Sequence, residues 1–284
     1  MTLDNSNSPL ISIITVCFNE AESRINHTMS TIDNQSYSRI QKIIIDGKSH
    51  PTTLKTLKKF SHGNTIMLSE PDGGIYDAMN KGIRLAQGDY LIFMNIGDSF
   101  YNNDVIKDAV QMITSAPYAD VYYGNVMKIQ TGYSDIEQTK YTEMPYTLTT
   151  CWLFLKTICH QSMLINRNCF SKYGSFNLKY SLLSDRDWLL RAIKNGCSCQ
   201  HLPLIICNFE NGGACSDWTK TRKERKVIQK EYFSIGQQLV FHCYWLAKKS
   251  ADRFKTSNFR MPVALREAGY LQHKAKESGT ANES

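Results

Sequence analysis

The chain has 284 residues, 42% of them hydrophobic and 21% charged, with a formal net charge of +7. That balance excludes collagen-like and disordered classes and supports one principal domain with an appendage. The nine cysteines are odd in number, scattered and set among apolar residues, so the reading is buried thiols in a reducing cytosol instead of a disulfide framework.

The opening MTLDNSNSPL has neither a basic nor an apolar leader segment. No window of about 18 uninterrupted apolar residues follows, which predicts a cytoplasmic protein, soluble or peripheral on the inner face of the plasma membrane. Residues 10–18, 40–46, 64–69 and 89–94 are short β-branched runs that end in polar residues, as buried parallel strands do. Helix-like segments at 20–35, 51–61 and 75–87 separate them, which predicts an α/β, doubly wound, mostly parallel sheet flanked by helices. Ligands of such sheets bind at the carboxyl ends of the strands, and there the chain places Asn19 with Glu20, Asp46, Glu70 with Asp72, and Asn95 with Asp98.

Beyond residue 100 the rhythm is mixed, with helices expected at 103–116 and 185–195 and strands at 120–126, 160–166 and 200–209. The pair Gly212 and Gly213 breaks the chain, which places a boundary near 216 and suggests a mobile segment over 212–218. The organisation is thus a short N-terminal stretch at 1–9, a domain at 10–216 in two halves (10–100 and 101–216), and a helical, basic tail at 217–284. The first 216 residues are electrically balanced; the tail holds 14 basic and 7 acidic residues. Nucleic acid is therefore not an expected partner. Within the tail, Leu239, Val240, Phe241, Tyr244, Trp245 and Leu246 are followed by Lys248, Lys249, Arg253 and Lys255, a combination that suits a membrane interface or packing on the domain.

The first strand runs into TVCFNE without the glycines of a dinucleotide-binding turn, and the phosphate loop G-x-x-x-x-G-K-[ST] is absent. In order, SIITVCFNE, KIIIDGKS and EPDGGIYDAMNKGIRLAQGDYLIFMNIGD resemble the inverting glycosyltransferases of family 2, which have the GT-A fold. CHQSMLINRNCFSKYGSFN at 159–177 and LLSDRDWLLRAIKNG at 182–196 look like that family's acceptor-side half, so the resemblance covers residues 9–216.

The resemblance implies a nucleotide-sugar donor, a UDP-sugar, cradled by Phe18, Asn19, Glu20 and Asp46. A carboxylate at a strand end accepts from an imide N–H or a ribose hydroxyl, while turn formation accounts for the same residues structurally. Ala78 and Gly82 are expected to pack a helix on the sheet, leaving Asp77 and Asn80 as donor contacts. The family's Asp-x-Asp metal motif reads Asn95-Ile96-Gly97-Asp98 here, so Asp98 alone supplies a carboxylate for Mg²⁺ or Mn²⁺ and Asn95 joins the donor site. The resemblance implies that His160 and Gln161 face the diphosphate or the acceptor, with His160 as a hydrogen-bond donor to a phosphate or as a second metal ligand. Trp152 and Trp188 are given no role. The family's catalytic base maps to Asp185, with Ser184 in place of a glutamate; a serine N-cap followed by acids is the structural alternative for Ser184, Asp185 and Asp187.

The implied acceptor is a lipid-linked saccharide, as in bacterial surface-polysaccharide assembly. Two rivals stand beside this reading. A sugar nucleotidyltransferase would need a glycine- and basic-rich loop that is missing after the first strand. A non-catalytic nucleotide-sugar-binding module is favoured by the absent carboxylates at 95 and 97.

Overall fold

The computed structural model describes residues 8–130, 138–210 and 217–257. The segment expected to be mobile lies outside the described residues as far as Ser216, as does the chain beyond Ser257.

The strands β1 (Ile11–Cys17), β2 (Ile40–Asp46), β3 (Thr65–Ser69) and β4 (Tyr90–Phe93) are parallel, with β1 between β2 and β4. Every residue of β1 is buried, as its apolar run requires of a central strand covered on both faces. The register aligns Cys17 with Asp46 and Asp46 with Ser69, so three strands end level and their polar successors emerge at one rim. The helices α1 (Glu22–Asp33), α2 (Pro51–Lys58) and α3 (Ile75–Leu85) make the crossovers. Ala78 is buried, and a Cβ on Gly82 would collide with Ile14 of β1, so both residues do pack α3 onto the sheet.

The second half joins the same sheet with mixed polarity. Here β5 (Ser99–Phe100), β6 (Val121–Gln130), β7 (Gln138–Thr142), β8 (Met163–Asn166) and β9 (Cys199–Glu210) complete the order β3-β2-β1-β4-β8-β6-β9-β5, with β7 beside β6. The β4–β8 and β6–β8 pairs are antiparallel, and β6–β9 is parallel. The strand expected from His160 begins at Met163, because His160–Ser162 form a 3₁₀ turn closed by Ser162 N–H to Cys159 O at 3.0 Å. A strand would send neighbouring side chains to opposite faces; the turn buries both His160 and Gln161.

Helices α4 (Val105–Ser115), α5 (Thr150–Leu155), α6 (Asn168–Tyr173) and α7 (Ser184–Lys194) flank this half. Trp188 of α7 is fully buried against Phe170 and Phe176, with ring centroids 5.1 and 6.3 Å away, and is therefore core. Helix α8 (Trp218–Tyr232) belongs to the same compact unit, which extends to Tyr232. The boundary thus falls 16 residues beyond the expected 216. The cause is polar packing: Glu224 and Gln229 of α8 bond to Leu182 and Phe154 in the body. The second unit starts at Phe233 and is described through α9 (Ile235–Ser257), which exposes Ile235, Leu239, Val240, Tyr244 and Leu246.

Candidate active site

The rim left by β1–β4 is built from turns that hold one another. Asn19 adopts a left-handed backbone (φ 51°), and its Oδ1 accepts from the His50 N–H at 2.9 Å. The Asn19 N–H donates to Ser49 Oγ at 2.7 Å, and the Ser49 N–H donates to Asp46 Oδ2 at 3.0 Å. Ser69 Oγ donates to the same oxygen at 2.6 Å, while Asp46 Oδ1 is buried and without a hydrogen-bond partner. Phe18 is 63% exposed beside this turn. A Cβ on Gly47 would meet Phe18 at 3.1 Å and collide with the Asp72 carboxylate, so glycine is what lets both side chains approach the turn after β2.

Other rim residues have partners. Glu20 accepts from Arg24 at 2.9 Å, and Arg24 also pairs with Glu210 at the end of β9. Asp77 accepts the Gly73 N–H at 2.9 Å, and Asp72 accepts that of Gly74, whose φ of 117° favours glycine. Asn80, expected as a donor contact, latches α3 to the backbone of residue 176. Its Nδ2 donates to Phe176 O at 2.9 Å and its Oδ1 accepts the Phe176 N–H at 3.0 Å, so the amide is spent on backbone.

After β4 the chain turns through Gly97 (φ 107°), and Thr28 of α1 clamps it by accepting from the Gly97 N–H and donating to Asp98 O. Asp98 is 7% exposed and accepts from Gln161 Nε2 at 2.5 Å and from the Glu210 N–H at 3.0 Å. Burial pushes its pKa up to about 6 against the pull of these two hydrogen bonds.

One residue away, His160 bridges two elements. Its Nε2 lies 2.8 Å from Asn95 Nδ2 and its Nδ1 lies 3.2 Å from Asp185 Oδ2. Burial opposes a charged imidazole, but the hydrogen bond and charge of Asp185, with Cys159 and Asp98 nearby, outweigh it and raise the pKa above the ordinary value. Both ring nitrogens are engaged inside the protein and the residue is 8% exposed.

Asp185 Oδ1 accepts from the Arg186 N–H at 2.7 Å and lies 3.1 Å from Tyr76 Oη, whose one proton is shared with Leu182 O at 3.0 Å. Ser184 is not an N-cap: the cap position is Leu183, and Ser184 Oγ donates to Asn177 O at 2.9 Å. The approach to α7 is held from outside. Glu224 accepts the N–H groups of Ser181, Leu182 and Leu183 and the Ser181 hydroxyl, at 2.8–3.0 Å. Arg186 is fully buried and donates to Leu153 O and Phe154 O; burial first, then Arg225, lowers its pKa to about 9. Asp187 turns away to Tyr232 Oη at 2.8 Å.

Sequence reasoning missed Tyr76, Arg24, Glu210 and Glu224. A charged or phenolic residue with no fixed spacing to its partner leaves no mark in a sequence. Among the described residues no group of three or more His, Cys, Asp and Glu converges on a metal position.

Residues 12–174 match the model of glycosyl transferase family 2. The chain belongs to this family. An uncharacterised family relative from Mycobacterium tuberculosis, named as a glycosyltransferase, is 29% identical over 74% of this chain and 79% of its own. A PGL/p-HBAD biosynthesis glycosyltransferase of Mycobacterium bovis is 26% identical over 79% of this chain and 83% of its own. The fold is that of GT-A enzymes. TarS 1-349 of S. aureus in complex with UDP superposes with a TM-score of 0.58 at 17% identity, covering 71% of this chain, which spans only 60% of that one. The mannosyltransferase PcManGT of Pyrobaculum calidifontis, in complex with GDP-Man and Mn²⁺, superposes at 0.59 with 14% identity, covering 98% of this chain and 83% of that one. Every described cysteine is a free thiol, and no helix among the described residues is long and apolar enough to cross a membrane.

Proposed function

We propose that this family 2 glycosyltransferase moves a sugar from a UDP-sugar to an acceptor hydroxyl with inversion, by direct displacement. The observation that carries the reading is that Asp98 after β4 and Asp185 on α7 are drawn to one place by the adjacent residues Gln161 and His160. In this reading Phe18, Asn19 and Asp46 take the base, with Glu20 and Asp77 shaping the rim around it. Asp46 has one carboxylate oxygen left, which matches the single imide N–H of uracil; guanine presents two donors on one edge and asks for both oxygens.

Asp185 accepts the proton of the acceptor hydroxyl as that oxygen bonds to the anomeric carbon. The bond from that carbon to the diphosphate oxygen breaks at the same time, and UDP leaves. Asp98 would hold Mg²⁺ or Mn²⁺, and the fit rests on donor chemistry: one buried carboxylate suffices for an ion that takes its other ligands from the diphosphate and water. Such an ion neutralises charge on the leaving diphosphate. The acceptor in this reading is a saccharide on a polyprenyl diphosphate carrier, met at the cytoplasmic face of the membrane. The exposed apolar residues of α9, followed by Lys248 and Lys249, support that setting.

The test mixes the protein and Mn²⁺ with UDP- and GDP-sugars, with and without a lipid diphosphate-linked saccharide, and follows nucleotide release and product anomeric configuration by NMR. Inversion with UDP release is expected. Retained configuration or equal use of GDP-sugars overturns the reading, pyrophosphate chemistry indicates nucleotidyl transfer, and binding without release indicates a non-catalytic module.

A further inference from the structure

The carboxylate of Asp185 is unequally loaded. Oδ1 accepts from the Arg186 N–H at 2.7 Å and shares the single Tyr76 hydroxyl proton, at 3.1 Å, with Leu182 O at 3.0 Å, so it is the more heavily engaged oxygen. Oδ2 has one hydrogen bond, from His160 Nδ1 at 3.2 Å. An incoming hydroxyl therefore finds its acceptor on Oδ2, and the bond from His160 sets the direction of the lone pair that remains.

His160 is oriented in turn. With Asn95 Nδ2 facing Nε2 at 2.8 Å, the neutral ring carries its proton on Nδ1, toward Asp185, and Nε2 accepts from the amide. Asn95 Oδ1 is buried without a partner in that arrangement. Turning the amide over gives this oxygen to a protonated Nε2, so the imidazolium is accommodated as well. In both states Nδ1–H points at Oδ2. The same 3₁₀ turn presents Gln161 to Asp98, so one rigid turn spans the distance between the two carboxylates.

We infer that His160 is a positioning residue: fixed by Asn95, it holds the Asp185 carboxylate so that Oδ2 faces the attacking hydroxyl, and it makes no contact with the donor phosphates. This rests on Asp185 being the base. The role differs from that of a base in its own right, because Nε2 is covered by Asn95.

Two substitutions divide the ring between them. The Asn amide in His160→Asn overlays Nδ1 and retains a donor toward Asp185, whereas the Gln amide in His160→Gln overlays Nε2 and loses it. With UDP-glucose, UDP-galactose and UDP-N-acetylglucosamine as probes and Mn²⁺ present, UDP release is measured for wild type, both variants and Asp185→Asn. His160→Asn is expected to keep kcat within about threefold, while His160→Gln falls by about the 10²- to 10⁴-fold expected of Asp185→Asn, with donor KM and Tm unchanged in both. Equal loss of kcat in both variants, or a loss that lies in donor KM, overturns the inference. A second measurement needs no turnover. The protein should show a low-field imidazole N–H proton resonance that disappears in His160→Gln and moves in Asp185→Asn; a resonance indifferent to Asp185→Asn, or none, overturns the pairing. If no probe releases UDP while the resonance behaves as expected, the donor assignment fails and the pairing of His160 with Asp185 stands.

Discussion

The parallel strands β1–β4 and the mixed half containing α7 are joined by side-chain hydrogen bonds at the candidate site but build their shares of it differently. In the parallel half a side chain's place follows from where its strand stops: Asp46 ends β2, and the register with Cys17 and Ser69 puts it at the rim. In the mixed half Asp185 sits at the start of a helix, and its surroundings come from Tyr76 on α3, His160 in a 3₁₀ turn and the Glu224-held segment before α7. A strand end is a local solution, whereas the Asp185 site depends on pieces far apart in the chain. Substitutions in the mixed half should therefore separate chemistry from binding more sharply.

The largest expected effect is that of Asp185→Asn, which lowers kcat by about 10²- to 10⁴-fold with donor binding and Tm near wild type. Asp187→Asn is its counterpart: Asp187 is buried, bonded to Tyr232 Oη and 3.9 Å from Arg191, so its variant should shift Tm while turnover stays near wild type. If turnover tracks Asp187 and not Asp185 in steady-state assays, the base is misassigned.

Asp98→Asn should abolish Mn²⁺- or Mg²⁺-dependent turnover, yet raise Tm at pH 8 in metal-free protein. The sign follows from its raised pKa. The folded chain holds the Asp98 proton up to about pH 6, so this group's contribution to stability is full below the ordinary carboxylate value and is lost as pH rises through about 6. Melting curves in EDTA from pH 4 to pH 8 check it; a variant less stable than wild type at pH 8 would show that Asp98 is held as a useful anion. If EDTA leaves wild-type turnover intact, the metal assignment goes.

Glu224→Ala removes the acceptor for four hydrogen bonds before α7 and should cost about 1–3 kcal/mol of stability. Turnover should drop while donor affinity holds, because α8 supports Asp185 and not the β1–β4 rim. Denaturant titration beside UDP binding reads both quantities, and loss of UDP affinity would place α8 with the donor half.

The smallest effect per residue is expected from the tail. Deleting 238–284 should weaken binding to anionic vesicles at low salt by about 1 kcal/mol for each basic residue near the surface, with turnover on a soluble acceptor spared. Equal partitioning of both forms in a sedimentation assay would assign the tail another task.

Much of the parallel half was legible in advance because period and polarity suffice there. The strand expected at 40–46 matches β2, and that expected at 64–69 differs from β3 by one residue. The Asn80 bond to Phe176 O was not legible, because its partner lies 96 residues away in the chain. The boundary near 216 followed from charge and glycine, but charge describes the solvent face of α8 and says nothing of Glu224 turned inward.

By itself the amino-acid sequence determined the β-α alternation, the parallel half of the sheet and the carboxylates at its rim, since hydrophobic period and strand termini are properties of neighbouring residues. Tertiary structure alone decided that His160 faces Asp185 and Asn95, that Ser184 leaves the capping of α7, and that α8 belongs to the body. Each of these turns on a hydrogen bond between residues 7 to 65 positions apart. A side chain with several possible partners takes the one that the packed core brings within about 3 Å, and that distance is written in no local stretch of sequence.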